Sequence, residues 1–387
     1  MLSRRISAAS RLRGLLAGGP ATTGACPRAF SHGRVVDAAA RDGELRVFVV
    51  AGEVSGDSLA SRLMASLRAL SPVPVRFAGV GGGLMCKEGL QSLFPMEEIS
   101  IMGLWELLPH LYNIKRKIED TADAAILFQP HAVVTVDSKG FSFRLLKQLK
   151  CRYNQVAHPL HVHYVAPSFW AWKDGERRLA KLHNLVDHLL CILPFEEEIC
   201  RINGLPATYV GHPLLDDAIG LNMEKELSSV NSMHQRSGEA FRQEHAMSPG
   251  TAVMELMLAK LPCVVAYKAH FITECLIHLR KNINFISLPN ILLNSPILPE
   301  ILFRACTAES LASKLSEVIC NDEVRKLQVE SADQLLEMLY EPMKQRGCLF
   351  QKELHNSSLL SNIFSPSMIA ALTVLYTDKH QHALHLN

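Results

Sequence analysis

A chain of 387 residues with 48% hydrophobic and 20% charged residues is long enough for two domains, and its ordinary globular composition excludes intrinsic disorder. A formal net charge of +2, with no Lys/Arg run interleaved with aromatics, excludes the electrostatic footprint of a nucleic-acid binder. Ten cysteines without any C-x-x-C pair exclude zinc-ribbon and thioredoxin motifs, and no apolar run is long enough to span a bilayer.

The amino terminus differs in kind from the remainder of the chain. Arg4, Arg5, Arg11, Arg13, Arg28 and Arg34 stand among Ser3, Ser7, Ser10 and Ser31, and the first acidic residue is Asp37. That composition is that of a transit peptide, which needs positive charge to follow a membrane potential. Residues 1–43 are therefore expected to be a presequence, directing the protein to the mitochondrion ahead of the plastid. A basic tail without a targeting role is the plainer alternative.

From Leu45 short β-branched runs alternate with helical patterns: LRVFVVAG (45–52), VRFAGVG (75–81), AVVTVD (132–137), HVHYVAP (161–167), HLLCILP (188–194) and TYVGHP (208–213). Helices are expected at 58–70, 104–128, 142–150, 175–185 and 195–203. This is the pattern of a parallel sheet covered on both faces, one doubly wound domain over 44–217.

The polar stretch 218–249 lacks apolar periodicity and reads as an irregular segment. Alternation resumes over 250–345 with helices at 251–259, 275–279 and 308–320 and a strand at 262–268, too few units for a second complete doubly wound domain. The tail, 346–387, holds an apolar stretch from Met368 to Tyr376 that reads as a helix packing back on the body.

Ligands of open α/β sheets sit beyond the carboxyl ends of the strands. The first such turn holds Gly52, Glu53, Ser55, Gly56 and Asp57, where two glycines permit close backbone approach ahead of a helix N-terminus. The same residues also suit a tight turn with an N-cap. Asp137 closes the third run, where a general base for a sugar hydroxyl would stand, or a helix cap. Trp170 follows the fourth run and either lines a pocket or packs a hinge. His161 and His163 lack a metal-spaced partner and read as packing residues. Gly250 and Thr251 open a helix whose amides suit a diphosphate, with Glu255 one turn further in for a ribose diol.

Taken in order, VAGEVSGD (50–57), IMGLWELLPHL (101–111), HYVAPSFWAWK (163–173), LPFEEE (193–198), VGHPLLDD (210–217), GTAVMELMLAKLPCVVAY (250–267) and ISLPNILL (286–293) resemble lipid-A-disaccharide synthase in its plant-like organellar form. The resemblance implies a GT-B glycosyltransferase of two Rossmann-like doubly wound domains, the C-terminal one incomplete here. It also implies transfer from UDP-2,3-diacylglucosamine to 2,3-diacylglucosamine 1-phosphate, giving UDP and lipid A disaccharide 1-phosphate, without metal or cofactor. The family's base falls on Asp137. Its acceptor-facing turn falls on Gly52, Glu53, Ser55, Gly56 and Asp57, with Trp170 nearby. Its nucleotide site falls on Gly250, Thr251, Glu255 and Asn290. The stripe Leu104, Trp105, Leu107, Leu108, Leu111 and Tyr112, followed by Lys115, Arg116 and Lys117, then suits acyl chains or peripheral contact with a membrane, although the same pattern serves a core helix.

Two departures stand out. The bacterial DAPDFN motif carries a second Asp, whereas Asp137-Ser138-Lys139-Gly140-Phe141-Ser142 keeps one carboxylate. The family's LLPGSR loop and the units after it should lie between Asp217 and Gly250 and are absent. An inactive splice isoform is therefore an alternative reading, and another GT-B UDP-sugar enzyme such as an epimerase is a third.

Overall fold

A computed structural model describes residues 33–100, 104–153, 158–217, 219, 252–353 and 364–378. The chain divides into two compact units: one of residues 1–167, 176–210 and 346–387, the other of 168–175 and 211–345. The division departs from the expected single boundary at 217, because a short piece after the fifth strand belongs with the second unit and the tail belongs with the first.

The first unit is built on a parallel sheet of seven strands: β1 Leu45–Ala51, β2 Val75–Val80, β3 Gln91–Ser92, β4 Ala132–Val136, β5 Leu160–Tyr164, β6 His188–Cys191 and β7 Ala207–Tyr209. Their order is β3-β2-β1-β4-β5-β6-β7, the doubly wound arrangement expected from the alternating runs. Val47, Phe48, Val49 and Val50 are all buried, as a strand covered on both faces requires. On one face Phe48, Val50 and Val133 join Ile114, Ile118, Ala125 and Phe128 of α4 (Leu104–Phe128) and Leu145, Leu146 and Leu149 of α5 (Lys139–Arg152) in one apolar cluster. Elsewhere α2 (Val54–Leu70) packs on β1 and buries Leu63, Met64 and Leu67. A short α3 (Gly83–Lys87) follows β2, while α6 (Gly175–Leu182) and α7 (Pro194–Ile202) connect the later strands.

Two terminal helices complete this unit. α1 (Val35–Asp42) buries Val35, Val36 and Ala39, and Asp42 pairs with Arg46 at 2.7 Å and with the buried His131 at 3.2 Å. The expected presequence of residues 1–43 therefore takes in a whole packed helix, whose apolar stripe is too short for sequence periodicity to reveal. The tail helix packs back as expected: Pro366–Tyr376 lies on α1 and α2 and buries Ile369, Leu372 and Leu375.

The second unit holds α8 (Ala252–Leu258), β8 (Val265–Tyr267), α9 (Phe271–Arg280), α10 (Leu288–Leu293), β9 (Glu300–Leu302), α11 (Ala308–Cys320) and α12 (Asp322–Glu353), which runs on into the first unit. Counting the tail helix as α13, the chain order is then complete. β8 and β9 pair in parallel, and among the described residues they make this unit's only sheet. A second half with too few units was the sequence expectation.

Candidate active site at the sheet switch point

Strand order reverses between β1 and β4, whose last residues Ala51 and Val136 are register partners. The turns that leave them are therefore neighbours, at the place where open parallel sheets bind ligands. Gly52 meets the exit of β4 directly. A methyl group on it would come within 2.5 Å of Ser138 Oγ, so only glycine lets the two turns approach. Gly56 is buried in the first turn of α2, where a methyl would lie 3.4 Å from Ala51 Cβ and 3.5 Å from the Val136 carbonyl oxygen. The glycine turn is thus the beginning of α2, which starts at Val54 instead of the expected Ser58.

The exit of β4 is strained. Asp137 and Ser138 have φ of 46° and 44°, and Val165, which follows β5, has φ of 76°. Side chains disfavour this left-handed region, most of all when β-branched, at about 1–3 kcal/mol each, and such outliers cluster at functional sites. Two hydrogen bonds hold the Asp137 backbone there: its N–H donates to the Tyr164 carbonyl at 3.0 Å, and Ser142 Oγ donates to the Asp137 carbonyl at 2.8 Å.

Glu53 occupies the N-cap position of α2 with extended backbone. Burial, and then the negative charge of Asp137, hold its carboxyl above the usual glutamate range, while Lys139 opposes the shift. The negative charge of Asp137 is thus felt at Glu53 on the neighbouring turn. Lys139, exposed at the first position of α5, is the neighbouring cation that sequence reasoning missed. Its place two residues after Asp137, opening a helix, was the available signal.

Asp57 was expected to face the acceptor, and the structure places it otherwise. It is 5% exposed, and its two oxygens accept the N–H groups of Gly82 at 2.9 Å, Leu84 at 3.0 Å and Met85 at 3.1 Å. Ser55 is exposed on the first turn of α2. Behind the site the Thr135 hydroxyl lies 2.8 Å from His163 Nδ1, and the His163 ring rests on Phe143 with centroids 4.7 Å apart. Burial pushes His163 down to about 3 and His161 to about 4, so both are neutral packing residues, as expected.

The remaining candidates fall in the second unit. Trp170 is half-buried on a single 3-10 turn, Phe169–Ala171, which Asn282 N–H bonds through the Ala171 carbonyl at 2.9 Å. Glu255 is half-buried in the first turn of α8, which packs on α10. Gly250 and Thr251 lie outside the described residues. Asn290 on α10 is fully buried. Its amide donates to the Leu298 carbonyl at 2.8 Å and to Glu300 Oε1 at 2.9 Å, and its oxygen accepts Leu298 N–H at 2.9 Å. With both donors engaged, Asn290 closes the 290–298 loop and does not present its amide to a ligand.

The stripe from Leu104 to Tyr112 is partly visible. The side chains from Leu104 to Leu111 lie outside the described residues, whereas Tyr112 is 78% exposed. Of the basic residues after it, Lys117 pairs with Glu98 at 2.6 Å and caps the Phe94 ring, and Arg116 reaches Asp120 at 4.0 Å. No described helix is long and apolar enough to cross a membrane. No group of three His, Cys, Asp or Glu side chains among the described residues is placed to hold a metal.

The family model for lipid-A-disaccharide synthetase matches residues 47–237 and 221–353. The chain belongs to this glycosyltransferase family. Its relatives include a probable mitochondrial lipid-A-disaccharide synthase of Arabidopsis thaliana, 43% identical over 430 residues that cover 88% of this chain and 93% of that one. The lipid-A-disaccharide synthase of Rhodospirillum centenum is 30% identical over 380 residues, covering 76% and 90%. A solved UDP-GlcNAc 2-epimerase from Neisseria meningitidis overlaps 74% of both chains at 9% identity and a TM-score of 0.34, too slight a likeness to argue from.

The synthase family's pattern is interrupted in this chain. The two matched stretches meet at residues 221–237, inside the polar segment where family sequence was expected to be missing. Because 88% of 387 residues is about 340, roughly 90 of the 430 positions aligned with the Arabidopsis relative have no counterpart here. At about 30 residues per βαβ unit that is close to three units.

Proposed function

We propose that this chain transfers 2,3-diacylglucosamine from its UDP conjugate to the 6-hydroxyl of 2,3-diacylglucosamine 1-phosphate, releasing UDP. The observation that carries the reading is Asp137, held at φ 46° where the sheet order reverses, beside Gly52 and Glu53. In this scheme the Asp137 carboxylate accepts the proton of the hydroxyl as its oxygen bonds to the anomeric carbon. The bond from that carbon to the diphosphate breaks at the same time, and its electrons leave with UDP. Glu53, whose carboxyl is held above the usual glutamate range, faces the acceptor sugar, and Ser55 offers its hydroxyl from the exposed first turn of α2.

For the donor, the family pattern points to the amides of Gly250 and Thr251 for the diphosphate and to Glu255 for the ribose, with Asn290 shaping the loop behind them. The acidless, arginine-rich amino terminus and the Arabidopsis relative's mitochondrial name support a mitochondrial location. The exposed Tyr112 beside Lys115 and Arg116 supports a peripheral membrane contact.

A second reading is favoured by the interrupted family pattern. An isoform without the arginine-bearing loop that the family uses to neutralise the leaving UDP would bind acceptor without turning it over. Incubating the full chain with UDP-2,3-diacylglucosamine and radiolabelled acceptor separates the two. Labelled disaccharide supports the transferase. No disaccharide, together with no heat of UDP binding, supports the inert isoform.

A further inference from the structure

The carboxylate of Asp57 links two loops that sequence treats as separate. Asp57 lies in the first turn of α2, after β1, and the three N–H groups it accepts belong to the loop and helix after β2. β2 is the other register neighbour of β1, so the linked loops leave adjacent strands on the same edge of the sheet as the Asp137 turn. Gly82 is fitted to this arrangement. A methyl group there would lie 2.5 Å from Asp57 Oδ2, so any side chain would push the carboxylate away. Gly83 has open space around it and its N–H is left out of the Asp57 set. The Gly81 N–H is held from the other side by Ser92 Oγ at 3.2 Å.

We propose that Asp57 is a positioning residue for the acceptor. It touches no substrate and instead fastens the Gly81–Gly83 loop to the Gly52–Asp57 turn, so that the two together wall the acceptor side of the switch point. The proposal rests on the acceptor reading given above. Fixing a glycine-rich loop before the ligand arrives removes ordering entropy from the binding step. Loss of the fastening therefore weakens acceptor binding as well as loosening the loop.

The test uses the full chain in four forms: wild type, Asp57→Asn, Gly82→Ala and Arg68→Ala. Arg68 also reaches from α2 to the far side of α3, bonding Glu88 Oε2 at 2.9 Å and the Glu88 carbonyl at 2.5 Å, and it serves as the structural control. Two quantities are measured: calorimetric affinity for 2,3-diacylglucosamine 1-phosphate, and hydrogen exchange of the Gly82, Leu84 and Met85 amides.

The expected result is roughly tenfold weaker acceptor binding in both Asp57→Asn and Gly82→Ala, with faster exchange confined to residues 82–85 and no further loss in the double variant. Arg68→Ala should melt lower while keeping wild-type affinity. Unchanged acceptor affinity in Asp57→Asn despite faster exchange overturns the positioning role and leaves a purely structural fastening. If wild type itself binds no acceptor while its amides remain protected, the acceptor reading is what has failed, and the proposal falls with it.

Discussion

Glu53 and Asp137 stand on neighbouring turns, at the N-cap of α2 and the exit of β4, and the charge on Asp137 raises the carboxyl of Glu53. Burial of Glu53 is the larger cause and Lys139 works against both. Because folded Glu53 holds its proton more tightly than an unfolded glutamate, its contribution favours the native state at low pH and is lost as pH rises through the raised value. A neutral replacement should therefore stabilise the protein above that range. Glu53→Gln is expected to melt higher than wild type at pH 7.5, by an amount on the order of a degree or two. The difference should vanish below the ordinary glutamate value of about 4.3. Thermal scans across pH check this, and a lower melting point for the variant at pH 7.5 would contradict it.

The buried histidines predict acid sensitivity of opposite sign. His161 and His212 are pushed down to about 4 and His163 to about 3, in each case chiefly by burial. Unfolding lets each take up a proton near its ordinary value of about 6.5, so stability present above that pH declines as the pH falls toward 4. Each contributes a slope of up to about 1.4 kcal/mol per pH unit. Urea titrations at pH 7.5, 6 and 5 should show this loss, with a smaller slope in His161→Phe. Stability that is flat between pH 7 and 5 would show that these side chains are not buried in the neutral form.

Asn290 should behave as a structural residue. Removing its side chain strands the Leu298 N–H and carbonyl and takes one of three donors from Glu300 Oε1, which keeps those of the Ser287 N–H and hydroxyl. Asn290→Ala is expected to cost about 2–4 kcal/mol, from one or two buried groups left unsatisfied at about 1–3 each. Chemical denaturation measures this. A variant of wild-type stability that has lost UDP binding would instead restore Asn290 to direct nucleotide contact.

The position of α1 fixes what an amino-terminal truncation can remove. A chain beginning at residue 33 retains Val35, Val36 and Ala39 in the core and the Asp42 pairs to Arg46 and His131. A chain beginning at residue 44 loses them and removes the Asp42 carboxylate from beside His131. Burial of two valines and an alanine is worth about 4 kcal/mol, so the shorter chain should melt markedly lower by calorimetry. Equal melting points would mean that α1 adds nothing to the fold.

The sheet was legible because its strands are buried on both faces. Six continuous β-branched runs, LRVFVVAG first among them, mark β1, β2, β4, β5, β6 and β7 to within a few residues. What sequence could not show depends on groups distant in the chain. β3 is two residues long and has no pattern of its own. α12 spans 32 residues with only a weak apolar stripe. Asp57 looks like every other acid in a glycine turn until three amides from the next loop are seen to surround it. The left-handed backbone at Asp137, Ser138 and Val165 has no signature, since none of the three is glycine. Asp137 itself was legible, because an acid closing a central parallel strand has few neighbours in sequence and a fixed place in the sheet.

The role of Asp137 as base is tested most directly by the single-turnover rate of disaccharide formation in wild type and Asp137→Asn. The asparagine keeps the size and hydrogen-bonding reach of the side chain but cannot take the hydroxyl proton. The rate should fall by about 100-fold or more, with acceptor affinity within about twofold of wild type. Disaccharide formed at the wild-type rate by Asp137→Asn would contradict the account, as would no product from wild type itself.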